Sequence, residues 1–81
     1  MRVRVVYFAS ARDASGKSRE QVSIEGSPRI EDLAGRLQRL HPGLGKLHKS
    51  IRYSVNLEIV EANHQLREGD EIGVLPAVTG G

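Results

Sequence analysis

An α+β fold, with one main helix packed on a mixed sheet, is what this 81-residue chain predicts. Three observations carry the prediction. Apolar residues alternate with a period of two near both ends, one central stretch keeps the spacing of an amphipathic helix, and glycine or proline marks most joints between these stretches.

The first strand runs from about Arg2 to Phe8, where Val3, Val5 and Tyr7 share one face and Phe8 falls on the other. Ala9 to Ser18, with Asp13 and Gly16, reads as a turn, and Val22 and Ile24 alternate in a second strand from Glu20 to Glu25. The two strands form a hairpin. Ser27 before Pro28 suits a helix cap followed by a first-turn proline, and Glu31 and Asp32 complement the positive end of the helix dipole. Ile30, Leu33, Ala34, Leu37 and Leu40 then form one apolar stripe, and His41-Pro42-Gly43 ends the helix. Residues 43–51 are a glycine-punctuated basic connection. Tyr53, Val55 and Leu57 alternate as a third strand, a further short strand is allowed after it, and Gly69-Asp70 turns into a last strand from Glu71 to Leu75. Pro76 ends that strand because it has no amide donor.

The order β-β-α-β-(β)-β is the β-grasp arrangement of ubiquitin-like folds. The helical crossover lets the first and last strands pair in parallel at the centre of the sheet. Residues 1–75 are thus expected to form one domain, from which residues 76–81 leave as an extended arm.

Composition excludes several chemistries. With no cysteine, the chain has no disulfide, thiolate metal site or thiol nucleophile, and no side chain can hold a persulfide. His41, His48 and His64 lack metal-ligand spacing and read as surface or packing residues, Ser27 as a cap, and "REGDE" as a turn. No apolar run approaches the roughly 20 residues that cross a bilayer, and MRVRVVYF lacks the pattern of a secretory signal. A cytosolic protein without a membrane partner is expected. Charge is uneven: Arg36, Arg39, Lys46, Lys49 and Arg52 meet no acid between Leu33 and Leu57, whereas Glu58, Glu61, Glu68, Asp70 and Glu71 face Arg67 alone. One Phe, two Tyr and no Trp leave little for base stacking, so no nucleic-acid partner is expected. The acids either orient the tail toward a basic groove on a partner or only solvate the surface.

The ending "LPAVTGG" has a use of its own. Pro76 to Gly81 can reach about 20 Å at about 3.3 Å per residue, and Gly80 and Gly81, lacking Cβ atoms, fit a narrow channel in another protein. In a chain without cysteine, sulfur can be carried only on the terminal carboxylate, once that group is activated as an acyl-adenylate and attacked by a sulfur nucleophile.

"YFASARD" with Gly16 beyond it, "HPGL" after the helix, Val55-Asn56, "LREGDEI" and "PAVTGG" together resemble the small subunit of molybdopterin synthase, a ubiquitin-like sulfur carrier family, over essentially the whole chain. The resemblance implies that Gly81 is adenylated by an ATP-dependent activating enzyme, converted to a thiocarboxylate and inserted into the large synthase subunit. There it gives sulfur to precursor Z. It implies Pro76, Ala77, Val78, Thr79 and Gly80 as the threaded segment, and Phe8, Ile59 and Leu75 as the surface meeting the large subunit. Catalytic groups would belong to that subunit, making this chain a co-substrate in an assembly of two copies of each. No stably bound cofactor is implied; ATP is consumed by the activating enzyme. Where the family often has an aromatic residue before a double proline, this chain has Leu75-Pro76-Ala77, a smaller apolar anchor. The same tail would also suit a sulfur carrier for thiamine or transfer-RNA thiolation, or a modifier joined through Gly81 to lysines.

Overall fold

The computed structural model describes residues 1–77. A five-stranded sheet, ordered β2-β1-β5-β3-β4, is packed on one face by a single long helix. Its strands are β1 (Arg2–Tyr7), β2 (Arg19–Ser23), β3 (Arg52–Val55), β4 (Glu58–Val60) and β5 (Glu71–Leu75). β1 pairs antiparallel with β2 and parallel with β5, and β3 is antiparallel to both β5 and β4. This is the β-grasp architecture expected, with the first and last strands central.

The alternation decides which face is covered. Val5 sits opposite Ile72 and Tyr7 opposite Val74, while Val55 also faces Ile72. These residues and Val3 are fully or nearly fully buried beneath Ile30, Leu33 and Leu37 of helix α2 (Ile30–Leu40). Leu44 and Leu66, neither assigned to the core by its spacing, close the ends of the cluster at 1% exposure each. The Leu66 amide donates to the Pro28 carbonyl and thereby ties the loop before β5 under the start of α2.

Four local expectations are corrected. Ala9 to Ser18 is more than a turn: Ser10–Ser15 form a short helix, α1, closed by Gly16 in the left-handed region at φ 77°. Ser27 does not cap α2. The cap position is Arg29, whose amide donates to Asp32 Oδ2 at 2.8 Å, so the carboxylate three residues into the helix serves the orphan amide. Leu40 lies off the covered stripe and is half exposed. Leu57 is not a strand residue: Asn56 and Leu57 both take positive φ, 49° and 75°, making the tight turn from β3 to β4 and leaving Leu57 91% exposed.

Candidate functional site

β5 delivers the chain's end from the middle of the sheet. Its last residue, Leu75, pairs with Arg52 of β3, and the next free amide, that of Ala77, donates to the Ser50 carbonyl at 3.0 Å. Ser50 closes a single 3₁₀ turn, His48–Ser50, and its hydroxyl donates to the Leu47 carbonyl at 2.8 Å. Pro76 and Ala77 therefore continue the β5 path for two residues, Pro76 half-buried and Ala77 exposed. Pro76 and Ala77 of the expected threaded segment are placed in this way; Val78, Thr79, Gly80 and Gly81, the residue expected to bear the sulfur, lie outside the described residues. Ser50 carries no signal in the sequence, because it acts through its carbonyl.

Beside the root lies the sheet face that α2 leaves open. Since β1 and β5 are parallel and in register, Val6, Phe8, Gly73 and Leu75 emerge on that side, joined by Ser54 of β3 and Ile59 of β4, which oppose each other. Phe8 is 42% and Ile59 58% exposed, while Leu75 is half-buried. Gly73 shapes the patch. A Cβ there would run into Ser54 Oγ and come within 3.5 Å of the Phe8 ring, so the bare backbone lets both side chains lie down across the central strand. An isolated glycine in a strand is the available signal for such a close approach, and "EIGVL" contains it. Arg4 and Glu71 edge the face as an exposed pair at 3.8 Å, a contact of small energetic weight.

Behind β1 a polar cluster braces the end of the fold at which β5 finishes. The Tyr7 hydroxyl donates to Glu20 Oε2 at 2.5 Å, and His41 Nε2 meets the same oxygen at 2.6 Å. An ionised carboxylate only accepts, so His41 carries its proton on Nε2. Lys17 Nζ stands 3.6 Å from the other Glu20 oxygen, and the Tyr7 and His41 rings meet edge to face at 5.8 Å. Burial by itself would raise the Glu20 carboxyl. Hydrogen bonds from Tyr7 and His41, with the charges of His41 and Lys17, outweigh it and hold the group below its ordinary range. Burial, followed by the bond to Glu20, pushes the Tyr7 phenol far above its usual value, so it remains a neutral donor. His41 is thus a packing residue. Among the described residues, no group of His, Asp and Glu could hold a metal ion.

The acids do not flank the arm as a set. Glu71 opens β5 opposite Arg4, Glu58 pairs with Val55, and Glu68 accepts the Arg2 amide, all at the end of the sheet remote from Leu75. Asp70 is buried among turn bonds from the Arg67 amide and Asn56 Nδ2. Only Glu61, following β4, lies toward the arm's end of the sheet.

Comparison with known proteins agrees with this architecture. Residues 5–81 match the ThiS family. The human molybdopterin synthase sulfur carrier subunit is 34% identical over 98% of this chain and 93% of its own length. Among solved structures, a candidate molybdopterin converting factor, subunit 1, from Pyrococcus furiosus superposes with a TM-score of 0.88 at 26% identity, covering 96% of this chain and 99% of its own. Small archaeal modifier protein 1 from Methanosarcina acetivorans superposes at 0.80 with 28% identity, covering 99% and 96%. No helix among the described residues is long and apolar enough to cross a membrane. With a family match over residues 5–81 and a central β5 paired in parallel with β1, the chain belongs to the ThiS family of ubiquitin-like sulfur carriers.

Proposed function

We propose that this chain is the sulfur carrier subunit of molybdopterin synthase, acting in molybdenum cofactor biosynthesis through its terminal carboxylate. The observation that carries the reading is a Gly-Gly terminus on an arm rooted at the end of the central strand, in a chain with no cysteine. The Gly81 carboxylate attacks the α-phosphorus of ATP on an activating enzyme and releases pyrophosphate. Hydrosulfide from a sulfur donor then attacks the acyl carbonyl and expels AMP, leaving the thiocarboxylate. In the large subunit, the thiocarboxylate sulfur attacks a carbon of precursor Z and displaces an oxygen substituent, which leaves with the C–O electron pair. Water then cleaves the acyl–sulfur bond to restore the carboxylate and leave the sulfur on the product. The activation and transfer groups belong to those partners. This chain supplies the acyl group, an arm slim enough to be enclosed, and an open sheet face of Phe8, Ile59 and Leu75 against which the large subunit packs.

A second reading, a protein modifier, is favoured by the likeness to the archaeal modifier protein, whose fold is shared almost end to end. One experiment separates the two. The chain is incubated with an activating enzyme, ATP and a sulfur donor, with and without the large subunit, and its intact mass is measured beside that of a chain lacking Gly80 and Gly81. Replacement of one oxygen by sulfur at Gly81, and capture of the large subunit by the full chain, are expected. Covalent conjugates to lysines that need Gly81, with no thiocarboxylate, would establish the modifier reading instead.

A further inference from the structure

The basic middle segment has a place in the fold that its sequence does not reveal. β3 runs antiparallel to β5, so the residues leading into β3 are carried to the point where β5 ends. Arg52 sits directly opposite Leu75, and Ser50, the carbonyl partner of Ala77, follows Lys49 in the same turn. Lys46 ends the preceding 3₁₀ turn, Pro42–Lys46, which packs on both α1 and α2. Lys46, Lys49 and Arg52 are all exposed, and none takes part in an ion pair among the described residues. Arg19, opposite Val6 at the same end of the sheet, adds a further exposed cation. Asp13, Glu31 and Glu61 are nearby acids left exposed, Glu31 and Glu61 lining one groove with Arg52, while Glu20 is engaged by Tyr7, His41 and Lys17. At the opposite end Glu25, Glu58, Glu68 and Glu71 stand among Arg2, Arg4, Arg36 and Arg67. Charges of both signs thus alternate at that end, and Lys46, Lys49 and Arg52, free of ion pairs among the described residues, stand at the end where β5 finishes.

We propose that Lys46, Lys49 and Arg52 form a collar that docks on an acidic rim around the channel of the activating enzyme, turning the arm toward that channel during encounter. This rests on the sulfur-carrier reading above. Its physical basis is that complementary charge raises association rates by about 10-fold or more and selects orientation, with little effect on dissociation. The collar lies at the arm's root, so any surface that encloses the arm must come within a Debye length of it, about 8 Å at physiological ionic strength. A neutral or basic rim would meet these three cations unpaired.

The test is stopped-flow association of the full chain with its ATP-dependent activating enzyme at several salt concentrations. It compares the unmodified chain with K46E/K49E/R52E, K46Q/K49Q/R52Q and the opposite-end variant E25K/E58K. Collar reversal is expected to slow association about 10-fold at low salt, the glutamine variant less, with dissociation within about twofold and the salt dependence flattened. E25K/E58K should associate as fast as the unmodified chain or faster. Thermal unfolding of each variant establishes that the fold is retained. Association of the collar variants at the unmodified rate at every salt concentration, or equal slowing by E25K/E58K, overturns the proposal. Adenylation at saturating chain separates this result from the larger reading: if the unmodified chain is never adenylated at Gly81, the sulfur-carrier function falls and the collar with it. If it is adenylated while collar reversal changes nothing, only the collar falls.

Discussion

Glu20 shows how a single side chain can tie an element to the fold and leave a titration signature. It joins β2 to Tyr7 of β1 and to His41 at the close of α2, so its loss leaves the buried Tyr7 hydroxyl and the half-buried His41 ring without this acceptor. Its carboxyl is held below its ordinary range in the folded chain and returns to that range when unfolded. The sign follows from linkage: the contribution is fully present above the unfolded value and is lost as pH falls through the folded one. Urea unfolding between pH 7 and pH 3 should therefore lose stability more steeply in the natural chain than in Glu20→Gln. At pH 7 that variant should be less stable by about 1–3 kcal/mol, the cost of weakening a buried charge-assisted network. Equal pH slopes would remove Glu20 from this role. The linkage was not legible beforehand, because residues 7, 20 and 41 carry no shared motif, and only the closed fold brings them together.

At the scale of the element, sequence patterns identified faces better than ends. Val3, Val5 and Tyr7 announced the covered side of β1, and Ile30, Leu33 and Leu37 that of α2, because burial imposes a period on whole segments. Ends are decided by one or two hydrogen bonds, which several nearby residues could supply. Ser27-Pro28 has the chemistry of a helix start, yet Pro28 is buried and its carbonyl accepts from Leu66 and from Gln65 Nε2, which leaves Arg29 as the residue before the first turn. Asp32→Ala should accordingly destabilise the fold by about 0.5–2 kcal/mol, the usual cost of a lost capping bond, whereas Ser27→Ala should stay within about 0.5 kcal/mol of the natural chain. Denaturant midpoints measured side by side decide between the two starts. The turn at Asn56-Leu57 escaped for a related reason: leucine is a poor residue for φ 75°, and the "SVNLEIV" alternation conceals a reversal that glycine would have announced.

The whole molecule divides its surfaces by purpose. α2 covers one face of the sheet, the open face presents Phe8 and Ile59, and β5 ends beside that face opposite Arg52. Parallel pairing of β1 with β5 makes this possible, since it puts the end of the first strand and the end of the last at the same edge of the domain. Phe8, placed on the uncovered side by alternation alone, therefore lies next to the arm's root. Because α2 does not cover the open face, its residues can change with modest effect on folding and a large effect on association. Ile59 is more than half exposed and opposes only Ser54, so Ile59→Asp should change stability by no more than about 0.5 kcal/mol. Phe8 also lies over Gly73, and Phe8→Asp should cost about 1 kcal/mol for the part of the ring that is buried. Both variants should retain adenylation at Gly81 when the activating enzyme is in excess. In titration calorimetry with the large subunit, both should bind at least about 10-fold more weakly, because each places a charge where the partner would bury an apolar side chain. Undiminished binding by both variants would remove the open face from the synthase interface and leave the arm as the element that holds the two subunits together.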